Sequence, residues 1–504
     1  MKPLTKADRL LECMLKALQA DSWNSLKAAH FLNRAGFGGT PAAVAKLVEL
    51  GPAAAVSLLV DYERFPDPTP APDWAKPDPE RAQRIREMRQ LPESERRERQ
   101  RAEQQQQRQR IIELRGWWLE RMAKGPRPFQ EKMTLFWHGH FATSVEKVRD
   151  AYYMWRQNEL FRRLATGNWL ELLIETGKDP AMLIWLDQAQ SRKEHPNENF
   201  AREVMELFAL GEGHYSERDV TEAARAFTGW SLDRQDEKFI ERPMWHDNGI
   251  KTVLGRTGRL KGEDVLEQIV VQPQSALFIT AKVWSFFAGS PPSPALNHGL
   301  AEVFRNGGNN FKPLVRTIFL CEEFYQPEIV RNQVKSPVQW LVGSVRMLET
   351  ELPPPLIASN LIRNLGQDLF APPNVKGWDG GVAWISTNSL LARYNEAASL
   401  VQGDASAVAS MAQARNPNQT QALQRRLGNL QFDGVDVEKI VPADQRDDTD
   451  ALLAGLEQRL LQGRLSGKQE QTLRQYLDSK HTLEDRDIRG AIRLIMCTPE
   501  YQVT

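Results

Sequence analysis

Along most of this chain apolar residues recur three and four positions apart, the spacing that places them on one face of a helix. The clearest case is residues 196–208, Pro-Asn-Glu-Asn-Phe-Ala-Arg-Glu-Val-Met-Glu-Leu-Phe, where Phe200, Ala201, Val204, Leu207 and Phe208 form an apolar surface. Asn199, Glu203 and Glu206 fall at i, i+4 and i+7 on another face, with Glu198 and Arg202 as an i,i+4 pair beside them. The spacing predicts one short helix carrying more acid and amide groups than a solvated face needs.

The same period predicts helices on both sides of it. Residues 1–21 are amphipathic, a second helix ends at Gly36, and Thr40 and Pro41 read as N-cap and N1 of a third that runs to Gly51. Residues 64–78 are proline-rich and end any helix. Residues 79–125 begin with an almost unbroken run of Arg, Glu and Gln, interrupted at Leu91 and Pro92, and predict a protruding helical hairpin. A main helical body is expected over 126–400, with a helix running into His138 and His140. Residues 231–262 hold its only strand-like stretch, a small β-hairpin turning at Asn248 and Gly249. Residues 401–447 are polar and linker-like, and helices over 448–504 close the chain against a body that begins with the helices of 1–63. The expected fold is all-α, a large multi-helix body with one hairpin excursion and a charged arm.

Composition narrows what such a body does. Lys plus Arg equals Asp plus Glu at 65 each, so no global field draws in nucleic acid or an anionic membrane. Glu is interleaved with Arg throughout the arm, which reads as a solvated hairpin with i,i+4 links and not as a nucleic-acid arm. Cys13, Cys321 and Cys497 stand far apart in apolar helical contexts, as buried thiols do, with neither disulfide nor zinc spacing. No window is read as reaching the roughly 18 apolar residues of a membrane span. The first 25 residues lack the order of a signal peptide, which points to a cytoplasmic location or to export with a partner.

Three groups of residues carry candidate chemistry. His138, His140, Glu203 and Glu206 combine imidazoles and carboxylates suited to zinc, manganese or iron. In a continuous helix the two rings would point about 200° apart, so both reach one ion only if the helix ends at Gly139. The alternative is a buried Glu-His-Arg network joining two helices. His246, Asp247 and Lys251 offer an acid-base group and a cation on the expected hairpin, although turn chemistry alone accounts for Asp247, Asn248 and Gly249. Asn374, Lys376, Trp378 and Trp384 lie on a glycine-rich loop, where tryptophans either stack on a substrate or cover a core. Nucleophile-elbow, Walker and dinucleotide-binding patterns are absent.

Residues 33–38 (Asn-Arg-Ala-Gly-Phe-Gly), 136–141 (Phe-Trp-His-Gly-His-Phe), 196–208 and 372–378 (Pro-Pro-Asn-Val-Lys-Gly-Trp) occur in an order that resembles a bacterial family catalogued as domain of unknown function 1800. The resemblance runs from about residue 25 to the end. It implies a largely helical fold and, often, a neighbouring gene for a sulfatase-like or phosphatase-like protein. Many members look exported by a twin-arginine signal, which this chain lacks. The expectation is a metal-assisted enzyme, hydrolytic or oxidative, acting on a polysaccharide or peptide. Glu203, Glu206, His246 and Asp247 would be its catalytic groups, and Asn199, Arg202, Lys251, Lys376, Trp378 and Trp384 its substrate contacts. The alternative is a non-catalytic helical partner of a sulfatase-like protein.

Overall fold

The computed structural model describes residues 15–404 and 432–504. Among them helices dominate, and paired strands are confined to two short antiparallel pairs. The class is all-α. Side-chain caps set many helix starts: Asn24 accepts from Lys27 N (3.1 Å), Asp150 from Tyr152 N (3.0 Å), and Ser216 and Asp219 form a reciprocal capping box.

Helix Pro128–His140 lies at the centre, buried on almost every side. It packs on Glu93–Lys124 and Ala151–Arg163. Glu131 in its first turn is fully enclosed and accepts from Trp118 Nε1 (2.8 Å), Arg121 Nε (3.0 Å) and Arg162 Nε (2.7 Å) and Nη2 (2.9 Å). Burial alone would push its carboxyl up, but Arg162 and then Arg121 hold it below the usual range. The charged arm is the helices Arg81–Gln90 and Glu93–Lys124. Its outer turns are exposed, yet Leu114, Trp118, Leu119 and Met122 of the second helix are completely buried, so the arm grows out of the core.

Helix Pro41–Val60 is long and apolar enough to cross a membrane by length and composition, contrary to the expectation that no window reaches that limit. Gly51, at φ 74° and ψ 166°, breaks it ahead of Pro52. Val44, Leu47, Val56 and Val60 are buried, and the element packs on Ser25–Ala35 and Phe311–Leu320 as part of the core.

The strand region holds two hairpins where one was expected. Trp230–Asp233 pairs with Lys238–Glu241, and Lys251–Val253 with Arg256–Gly258 through Leu254 (φ 47°) and Gly255 (φ 85°). Asn248 and Gly249 turn neither of them. They sit in the loop before the second, closed by Gly249 N donating to Asp247 Oδ1 (2.8 Å).

The C-terminal helices pack back on the body: Thr449–Leu460 on Pro337–Met347 and Asp485–Met496 on Thr387–Gln402. Of the polar stretch 401–447, residues 405–431 lie outside the described residues, as do residues 1–14 of the first expected helix, Cys13 included. The described end of that helix is a single 3-10 turn, Ala20–Ser22, preceded by a bridge from Ala17 to Cys321. Cys321 and Cys497 are free thiols.

Candidate active site

Three of the sequence motifs, far apart in the chain, converge at the C-terminal end of Pro128–His140. Gly377 (φ 85°) closes on this end so tightly that a Cβ there would stand 2.4 Å from Gly139 O, a contact only glycine allows. From the same end His138 reaches the segment leading into that loop, its Nε2 accepting from Phe370 N at 3.0 Å. His140 reaches the other way and donates from Nε2 to Phe208 O at 3.0 Å. A backbone donor facing His138 fixes the proton on Nδ1, and a carbonyl facing His140 fixes it on Nε2. Both rings are buried and neutral. Burial, then Arg115, takes His138 down to about 3, and burial, then Lys282, takes His140 well below the usual imidazole value.

The helix runs through Gly139 to His140, so the two imidazoles diverge as helical geometry requires. The proposed metal set of His138, His140, Glu203 and Glu206 is therefore not assembled. Among the described residues no group of three or more His, Cys, Asp or Glu is placed to hold a metal ion. Each imidazole spends a nitrogen on backbone, and only His140 Nδ1 remains buried without a partner.

The acid-rich segment starts as the helix Glu198–Glu203 and continues as a π-helix, Val204–Ala209, instead of the single regular helix its spacing predicts. Asn197 caps it, accepting from Phe200 N (3.2 Å) and donating to Leu186 O (2.7 Å). Its last turn closes through Leu210 N to Met205 O at 2.7 Å, an i to i+5 bond. Such widened turns recur at functional sites. The Glu198–Arg202 pair does not form. Arg202 makes a two-pronged bond to Glu217 (2.7 and 2.7 Å), and Glu198 accepts from Thr221 Oγ1 (3.1 Å). Asn199 is exposed.

Glu203 and Glu206 are both half-buried and are treated differently by their surroundings. Glu206 Oε2 accepts a bond from the Tyr215 hydroxyl, which burial and then that bond push up to about 12. Glu203 accepts no hydrogen bond among the described residues. Burial and then the neighbouring Glu206 raise its carboxyl above the usual range, against the opposing pull of Lys376 and Arg202. Lys376 is exposed, on a turn where its own N donates to Asn374 Oδ1 (2.8 Å). Trp378 is half-buried, its ring 5.7 Å from that of His138. Trp384 is only 8 % exposed and covers Gly366, so it lids the core and has no face for a substrate.

The His246 group is a separate, structural arrangement. Asp247 is bound by Arg225 Nε (2.8 Å), which first among several causes holds its carboxyl below the usual range. His246 Nδ1 lies 2.9 Å from Thr228 O, and Lys251 is buried with its ammonium on the carbonyls of Asp247 and Gly249. Asp247 is thus no free base and Lys251 no free cation, because the turn consumes both. Tyr215 escaped the sequence reading: a lone tyrosine in a polar loop gives no sign that its hydroxyl meets Glu206.

No curated protein and no solved structure matches the chain. A model of the family described as Protein of unknown function (DUF1800) matches residues 30–503, nearly the whole chain, and so takes in all four motifs; the chain belongs to that family.

Proposed function

We propose that this protein is a hydrolase that uses the Glu203–Glu206 pair for acid-base chemistry on a peptide or polysaccharide. The observation that supports it is the split between two neighbouring carboxyls, one unpaired and raised, the other held by a hydroxyl donor. Pairs whose environments push their proton affinities apart supply an acid and a base from the same residue type. In this reading protonated Glu203 gives its proton to the leaving oxygen or nitrogen as the scissile bond breaks. Glu206 takes the proton of the attacking water. Lys376, close enough to act electrostatically on Glu203, faces the charge that develops. The metal-assisted form of the reading needs donors aimed at one point, and the two imidazoles are turned away from each other. No step is routed through zinc, manganese or iron.

The test is hydrolysis of a panel of peptides and polysaccharides by wild type and Glu203→Gln. Loss of a positioned acid costs roughly 10²–10⁴-fold in rate, with no loss of stability near neutral pH. Undiminished turnover in both Glu203→Gln and Glu206→Gln, or a Glu203 carboxyl found by NMR titration to be no higher than an ordinary glutamate, would sink the proposal.

A second reading, a non-catalytic partner of a sulfatase-like protein, is favoured by the exposed basic turns of the arm. Arg86, Arg89 and Arg101 are exposed there. Capture of such a protein by wild type but not by a variant with these three changed to Glu would support it, and equal capture removes the arm from the argument.

A further inference from the structure

A cavity of about 1210 Å³ opens between the charged arm and the body. Its arm wall is one face of Glu93–Lys124, where Gln100, Gln104, Gln107 and Ile111 succeed one another at i, i+4, i+7 and i+11. Gln107 is anchored by accepting from Ala151 N at 2.8 Å, which fixes that wall against the body. The lining carries seven basic and four acidic side chains. Two of the basic ones, Arg108 and Arg234, are exposed and have no hydrogen-bond or ion-pair partner among the described residues.

Two buried hydroxyls also line the cavity with nothing to bond. Tyr153 is 1 % exposed and Ser359 4 %, and neither Tyr153 Oη nor Ser359 Oγ has a partner among the described residues. A buried polar group left without a hydrogen bond is costly to the fold. Two such groups beside two unspent guanidiniums mark a surface shaped for something else.

We propose that this cleft binds an acidic peptide segment carrying aliphatic side chains. The unpaired guanidiniums meet carboxylates, the glutamine amides and two hydroxyls meet peptide groups, and Ile111, Ile112, Ile184 and Leu356 of the lining receive the aliphatic residues. A sugar or a nucleic-acid base would need an open aromatic face. Tyr153 is the one ring in the lining, and the Arg81 guanidinium covers it at 5.1 Å. The volume exceeds the roughly 300–1,000 Å³ of small-molecule sites, as an extended segment requires. The site is independent of any hydrolysis at Glu203.

The experiment is fluorescence anisotropy of the full chain with a fluorescein-labelled heptapeptide, Glu-Leu-Glu-Ile-Glu-Leu-Glu. Saturable binding is expected, weakened about tenfold in Arg108→Ala/Arg234→Ala and by rising salt. Tyr153→Phe, which keeps the ring and removes the orphaned hydroxyl, is expected to weaken it as well. No saturable binding overturns the proposal. So does binding unchanged in the double variant when circular dichroism shows both proteins folded. Trigalacturonate binding as tightly as the peptide would make the cleft an anionic-glycan site and overturn the peptide assignment.

Discussion

The turn at His246 and the junction at Glu203 contain the same ingredients, an imidazole, carboxylates and a lysine, and dispose of them in opposite ways. At the turn Asp247 is bound by Arg225 and Gly249, and Lys251 by two carbonyls, so each charge is consumed in holding the loop. At the junction one nitrogen of each imidazole is likewise spent, on Phe370 N and Phe208 O, but Glu203 is left half-buried without a hydrogen bond among the described residues. Residue type is shared between the two places. Only the second leaves a carboxylate without a hydrogen-bond partner among the described residues, and reactive chemistry needs that capacity.

After the rate loss expected of Glu203→Gln, the largest effect that sharpens this contrast is on the histidines. His138→Ala removes a buried ring and leaves Phe370 N without an acceptor, and should lower stability by about 3 kcal/mol. Chemical denaturation measures it, and a loss near zero would mean that the loop does not depend on the imidazole. Arg225→Ala should cost about 2 kcal/mol by freeing Asp247 and Glu222, with no effect on hydrolysis. A loss of activity equal to that of Glu203→Gln would break the comparison by making the turn part of the site.

The pH dependence separates the two kinds of group by sign. Glu203 is raised in the fold, so the stability it contributes is complete below its unfolded value of 4.5 and is lost as pH rises through the folded value. His138 is lowered to about 3, so its contribution is complete above 6.5 and is lost as pH falls toward 3. Melting temperatures of wild type, Glu203→Gln and His138→Ala across this range should show each variant missing one of the two slopes. A Glu203→Gln curve parallel to wild type above pH 4.5 would contradict the raised carboxyl. The smallest effect belongs to Arg202→Ala, whose partner Glu217 is exposed to solvent. No measurable change in melting is expected.

Much of the fold was legible in the chain because helical period and punctuation are local. The arm, the break at Gly51 and the cap at Thr40 follow from residues within a few positions of one another. The hairpin was misplaced for the same reason: Asn248 and Gly249 carry a turn signal, but strand pairing selected Leu254 and Gly255.

What the sequence by itself determined is the helical class, the arm and the four motifs that mark the family. Only the tertiary structure decided which residues meet. The helix continues through Gly139, so His138 and His140 face different neighbours. The π-helix resets the turn that carries Glu206, and a tyrosine nine residues on finds its carboxylate. Gly377 lets the 372–378 loop close on Gly139 and bring Lys376 within electrostatic reach of Glu203. The histidine contacts and the loop closure join segments tens to hundreds of residues apart, and there, as in the Tyr215 bond, side-chain direction and enclosure, not spacing, set the chemistry.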